Sequence, residues 1–160
     1  MQGARAPRFV ADSMLGRLAR WLRAMGYDTL YLRHACDGDL LELARREQRT
    51  LLTRDLRLAR SAAEDAVYHV RAERLEAQLA EIVAAFRLDP EADPLSRCLE
   101  CNHLLTALER DKLGGSVPPH ILASHREFSG CPACGRVYWE GSHAGRMRNR
   151  LRAITPRAGV

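Results

Sequence analysis

The sequence predicts an α/β fold with a central parallel sheet, followed by a small metal-stapled module. Three observations carry that expectation. Short apolar runs alternate with helix-like segments from residue 8 to about residue 88, the pattern of strands joined by crossover helices. Asp89-Pro90-Glu91-Ala92-Asp93-Pro94, with two prolines and three acids, interrupts the alternation and reads as a linker. Beyond it come two Cys-x-x-Cys pairs, Cys98/Cys101 and Cys131/Cys134, and the alternation stops. The expected division is a sheet domain over 8–89, a linker over 90–95, a cysteine module over 96–147 and a basic tail over 148–160.

Arg8-Phe9-Val10-Ala11-Asp12 reads as a strand that delivers a carboxylate at its end. Met14 to Met25 is an amphipathic helix: Leu15, Leu18, Leu22 and Met25 recur at helical spacing, opposite Arg17, Arg20 and Arg23. Asp12 or Ser13 caps its start and Gly26 ends it. Thr29-Leu30-Tyr31-Leu32 is a second strand, and Asp37 or Asp39 opens a helix with Leu40, Leu41, Leu43 and Ala44 on its apolar side. Thr50-Leu51-Leu52-Thr53-Arg54-Asp55 is a third strand, again ending in an acid, with an apolar centre suited to a buried parallel strand. A short helix over 56–63, a fourth strand over 66–70 and a helix over 72–88 with Leu75, Leu79, Ile82, Val83 and Phe86 as its buried stripe complete the domain.

In open parallel sheets ligands sit beyond the carboxyl ends of the strands. Asp12 and Asp55 fall there, and Asp37, at the start of a helix leading back to the sheet, joins them. Three converging carboxylates are the expected seat for Mg²⁺ or Mn²⁺, which favour oxygen ligands. The bland alternative is helix capping, and one carboxylate is able to do both. Arg17, Arg20 and Arg54 lie where they would hold phosphate, Thr53 where it would orient a carboxylate or a water, and Arg23 on a solvated face.

Four cysteines in two knuckle-like pairs match a tetrahedral thiolate site, and four thiolates leave no open position, so a structural zinc is expected rather than a catalytic one. The 29 residues from 102 to 130 exceed the usual gap, and an inserted loop around Gly114-Gly115-Ser116-Val117-Pro118-Pro119 is expected. Cys36 is unpaired and reads as a small, partly buried residue. Phe128, Val137, Tyr138 and Trp139 are expected to pack as a skin for the module rather than to stack on bases. His103, His120 and His125 read as surface residues, whereas His143 with Arg146 is a candidate for RNA contacts.

The formal charge is +5, carried almost wholly by arginine, and residues 141–160 hold five arginines and no acid. That balance suits a polyanion such as RNA or DNA. No apolar stretch approaches the ~20 residues that span a bilayer. The N-terminus lacks a signal-peptide core. A cytoplasmic location, with no membrane partner, is the default expectation. No glycine-rich phosphate loop follows the first strand and no cysteine sits as a nucleophile, which ranks a small-molecule phosphohydrolase last.

Three separated stretches agree in order and spacing with a known family. They are Asp12-Ser13-Met14-Leu15-Gly16-Arg17-Leu18-Ala19-Arg20-Trp21-Leu22-Arg23, then Leu51-Leu52-Thr53-Arg54-Asp55, and Cys131-Pro132-Ala133-Cys134-Gly135-Arg136-Val137-Tyr138-Trp139 with Gly141-Ser142-His143. Over about residues 8–147 the chain resembles the Mut-seven C-terminal ribonuclease domain family, a PIN-like nuclease domain fused to a zinc ribbon. The resemblance implies a three-layer α/β/α fold and metal-dependent hydrolysis of RNA, single-stranded or structured. By position it implies Asp12, Asp37 and Asp55 as catalytic acids; for the fourth acid common in PIN nucleases, Asp39 and Glu42 stand nearby and Asp65 further off. A non-catalytic RNA- or ribosome-binding protein, whose acids only cap helices, is the rival reading. A toxin role, as in many PIN nucleases, fits the added ribbon poorly.

Overall fold

The computed structural model describes residues 6–61 and 66–154 of the chain. Strands β1 (Phe9–Ala11), β2 (Thr29–Tyr31), β3 (Thr50–Thr53) and β4 (Val67–His69) form one sheet in the order β2-β1-β3-β4. Every pairing in it is parallel, with Ala11 level with Tyr31 on one side and Leu52 on the other. Helices α1 (Gly16–Ala24), α2 (Asp37–Glu47) and α3 (Leu56–Ser61) are the crossovers, and α4 (Leu75–Phe86) follows β4.

The strand side chains alternate between two cores, as period-two geometry requires. Phe9, Ala11 and Leu52 pack with Leu18 and Leu22 of α1 and Leu79 and Ile82 of α4. Val10 and Leu51, one position out of phase, pack with Leu40 and Ala44 of α2 and Leu58 of α3. The result is a three-layer α/β/α domain. Because the chain leaves β1 toward one edge and β3 toward the other, the sheet has its switch point between those two strands.

Two local features set the helix limits. Gly26 adopts φ +93°, and a Cβ there would run into the carbonyl oxygen of Asp93, so only glycine both ends α1 and admits the later chain. The fourth helix starts at Leu75, later than residue 72. Gln78 turns its amide back to the carbonyls of Ala72 and Glu73, and the Glu81 carboxylate accepts from the N–H groups of Arg71 and Ala72. Those side chains satisfy the backbone of 71–73 without a helical turn.

The second module is an antiparallel sheet in the order β5-β6-β7, from β5 (Thr106–Leu108), β6 (Phe128–Gly130) and β7 (Val137–Trp139). Two short 3-10 turns and α5 (Pro119–Ser124) fill the insertion between the cysteine pairs. Phe128 is buried with Leu113 and Val117 against Val137 and Trp139, so these aromatics are packing residues as expected.

The last helix, α6 (Ser142–Ile154), corrects the idea of a tail beginning at residue 148: the boundary falls inside a helix. Leu151 is fully buried in the core shared by α1 and α4, the Arg150 guanidinium lies 4.9 Å over the Trp21 ring, and Arg150 also pairs with Glu76. An arginine-rich helix docks because its few apolar residues share one stripe while the arginines find acids on its flanks. Arg157 lies outside the described residues. No described helix is long and apolar enough to cross a membrane.

Candidate active site and metal centre

At the carboxyl end of the parallel sheet, β1 hands over to Asp12 and β3 to Arg54 and Asp55. The Asp12 carboxylate is 6% exposed and accepts three hydrogen bonds. Oδ1 takes the Met14 N–H at 2.8 Å, capping a 3-10 turn over Ser13–Leu15. Oδ2 takes the Thr53 hydroxyl at 2.5 Å and the Arg54 N–H at 3.2 Å. The same Thr53 Oγ1 accepts the Asp55 N–H at 2.9 Å. One buried hydroxyl therefore ties the Asp12 side chain to the Asp55 backbone across the switch point.

Asp55 itself is exposed. Its Oδ1 caps α3 by accepting from the N–H groups of Arg57 and Leu58, at 2.7 and 3.3 Å. Asp37 is the first residue of α2 and Asp39 lies in the same turn; both are exposed, and the N-cap position belongs to Cys36. Glu42 is exposed on α2, and Asp65 lies outside the described residues. Asp12 and Asp55 are thus linked through Thr53, whereas no hydrogen bond among the described residues ties Asp37 to either. Cys36 is exposed rather than partly buried, because the crossover leading into α2 stands open to solvent.

The four paired cysteines do converge. All four Sγ atoms lie within 4.8 Å of one another, with Cys98–Cys134 at 3.6 Å and Cys101–Cys131 at 3.3 Å. A tetrahedron with Zn–S of 2.3 Å has edges of about 3.8 Å, so the donor set fits zinc. The two knuckles share one backbone plan. Cys98 N–H donates to His103 O and Asn102 N–H to Cys98 O; Cys131 N–H donates to Arg136 O and Gly135 N–H to Cys131 O. The fifth residue of each turns left-handed, Asn102 at φ +73° and Gly135 at φ +71°.

Burial pushes the Cys98 thiol up, but the Tyr138 hydroxyl and the N–H groups of Cys101 and Glu100 outweigh it and bring the thiol down to about 6. The Tyr138 hydroxyl is 3.2 Å from that sulfur and accepts the Leu99 N–H. Burial and hydrogen bonding to the Cys131 sulfur push Cys101 up to about 12.

The residues expected to touch RNA are scattered. Arg17 is exposed on α1, and Arg20 pairs with Glu100. Arg54 lies 3.9 Å from Glu73, and Arg146 is exposed on α6. Arg20 of α1 and His143 both line a cleft of ≈ 710 Å³, which Trp139, Tyr138, Leu99 and Met147 also line. None of Asp12, Asp37 and Asp55 lines it.

Arg23 corrects the expectation of a solvated face. It is 5% exposed, and burial lowers its pKa against the opposing pull of the Cys101 and Cys98 thiolates. Nε donates to Thr29 O at 2.8 Å, and Nη1 donates to Leu99 O and Glu100 O at 3.0 and 2.8 Å. A signal was present in the spacing: arginines three apart drift by about 60° per step around a helix of 3.6 residues per turn, and the third has rotated off the exposed face. At the opposite edge of the sheet, buried Arg49 and half-buried Arg8 hold Asp28 with Asn102. Burial raises that carboxyl, but the Arg49, Asn102 and Arg8 hydrogen bonds win and hold it well below the usual carboxylate range.

Compared with known proteins, residues 7–151 match the model of the Mut7-C RNAse domain. No curated protein and no solved structure matches the chain significantly. With a family match that runs from two residues before β1 into the last helix, and a fold and cysteine cluster that agree with it, the chain belongs to the Mut7-C RNAse domain family.

Proposed function

We propose that this protein is a Mg²⁺- or Mn²⁺-dependent ribonuclease whose site is built on Asp12, Asp37 and Asp55, with Asp39 as the candidate fourth acid. The observation that carries the reading is the Thr53 hydroxyl bonded to both Asp12 and the Asp55 backbone at the switch point of the sheet. A buried threonine spent on orienting an acid at a ligand edge suits a site that must hold a carboxylate still. When bound there, Mg²⁺ or Mn²⁺ supplies charge neutralisation at the phosphate and an acidified water. The protein's share is positional. Asp12 keeps one orientation through its three donors, Arg54 and Arg17 approach the phosphate from the rim, and Asp37 offers an exposed carboxylate from α2.

The exposed apolar side chains Met14, Leu32 and Leu56 follow β1, β2 and β3 at that same edge. They favour a strand with unstacked bases over a duplex, whose bases face inward. Arg20 and His143 in the cleft, with Arg146 beyond it, would carry a further part of the chain. Zinc would be held by Cys98, Cys101, Cys131 and Cys134 as a structural ion. A cytoplasmic setting suits free paired thiols that bind metal rather than oxidise.

The test is cleavage of labelled single-stranded RNA with and without Mg²⁺ or Mn²⁺. The parent should cut only with the cation, while Asp12→Asn and Asp55→Asn should lose at least a hundredfold in rate. Equal cleavage by all three removes the reading. The capping bonds made by Asp12 and Asp55 favour one rival, an RNA- or ribosome-binding protein, which predicts salt-sensitive RNA binding and no metal-dependent cutting.

A further inference from the structure

The two cysteine knuckles have the same backbone but opposite surroundings. Pro132, Ala133, Cys134, Gly135 and Arg136 of the second are all exposed. The first is pressed against α1 and the start of β2. Leu99 is buried with Ala24 and Met147, and Arg23 holds the carbonyls of Leu99 and Glu100, the two residues between the first pair of ligands. At the position where the second knuckle uses Gly135, the first uses Asn102, whose side chain accepts the Thr29 N–H at 2.9 Å and donates to Asp28 at 2.7 Å. Arg97 adds a bond to Gly26 O at 2.9 Å, and Leu95 N–H one to Ala24 O at 2.8 Å.

We propose that the first knuckle is a docking element through which the metal centre sets the position of α1, with Arg23 and Asn102 as the positioning residues. The physical argument is the accounting of polar groups. The knuckle carbonyls of 99 and 100 and the Thr29 N–H have these partners only while the knuckle keeps its metal-bound shape, and Asp28, which Arg8 and Arg49 also hold, would lose one of its donors. A positive guanidinium beside a centre of four thiolates also offsets the net negative charge that four sulfurs and one Zn²⁺ leave. Loss of the metal frees the knuckle and leaves Arg23 Nη1 without its two acceptors, with only the Nε bond to Thr29 O remaining, a costly state for a buried charge. Coupling of this kind is reciprocal: whatever metal does for α1, the docked α1 does for metal. Since α1 begins four residues after Asp12, the state of the thiolate centre reaches the acidic edge, a consequence that rests on the ribonuclease reading above.

The experiment uses the full zinc-loaded chain and needs no nuclease assay. Amide exchange at Thr29 and in the last turn of α1 is followed with zinc bound and after chelation, and zinc release to a chromogenic chelator is timed. In the parent, removing zinc should speed exchange at those amides at least tenfold. Asn102→Gly keeps the left-handed turn that Gly135 shows the knuckle tolerates, so it tests docking without disturbing the ligands. It should raise exchange at Thr29 with zinc still bound and release zinc about tenfold faster, the scale of lost outer-shell contacts. Arg23→Met should act in the same direction; if it does not fold, Asn102→Gly alone decides. Unchanged α1 exchange after chelation, or zinc release from Asn102→Gly at the parent rate, overturns the proposal. Neither readout depends on RNA, so a failed ribonuclease reading and a failed docking proposal are told apart.

Discussion

The Thr53 hydroxyl and the Asp12 carboxylate stand 2.5 Å apart although 41 positions separate them in the chain. The contact exists because β1 and β3, not consecutive in sequence, are neighbours in the sheet. Thr53 is fully buried, and its oxygen both donates to Asp12 and accepts from Asp55.

Thr53→Val removes both bonds at nearly constant volume. It leaves a buried carboxylate short of a donor and an N–H without its acceptor, for an expected loss of about 1–3 kcal/mol of stability. Thr53→Ser keeps the oxygen and should lose less. Urea denaturation of the three proteins checks the order, and a valine variant as stable as the parent contradicts the account of the pair.

Leu151 reports whether α6 belongs to the fold. Its side chain is 0% exposed in the main core, so Leu151→Ala should cost about 2–5 kcal/mol. A chain truncated after residue 147 should melt well below the parent. If calorimetry finds the truncated chain equally stable, the helix is a dispensable tail after all.

The Asp28 carboxyl gives stability a pH dependence with a definite sign. Its folded pKa lies below its ordinary value of 3.8, so its contribution is complete above that value and fades as pH falls through the lower, folded one. Asp28→Asn should therefore be clearly less stable than the parent at pH 7, with the gap narrowing below about pH 4. A gap that holds constant from pH 7 to pH 3 would speak against the Arg49–Asp28 bond as its origin.

Zinc uptake should release fewer than four protons at pH 7.5. The Cys98 thiol, brought down to about 6, is already ionised there, while Cys101, pushed up to about 12, must give up its proton to bind. Calorimetric titration of the metal-free protein in buffers of different ionisation enthalpy counts the protons. A full four would mean that Tyr138 and the knuckle N–H groups do not stabilise the Cys98 thiolate.

Much of this protein is legible in its sequence. The parallel sheet showed in the alternation of apolar runs with 3.6-period segments, and the metal centre in the twin Cys-x-x-Cys pairs, because period and spacing are local properties of the chain. The start of α4 was blurred by Gln78 and Glu81, side chains of the helix that satisfy the backbone ahead of it.

By itself, then, the order of residues determined the class of fold, the acids that end β1 and β3, and the four thiolates. Only the tertiary structure decided which of these meet. Strand order placed β1 beside β3 and so joined Asp12 to Thr53. Docking of the first knuckle buried Arg23, and the return of Leu151 to the core made a helix of an apparent tail. Such contacts join residues tens of positions apart, and no periodicity in a single segment records its neighbour; burial against a distant surface, not local preference, chooses it.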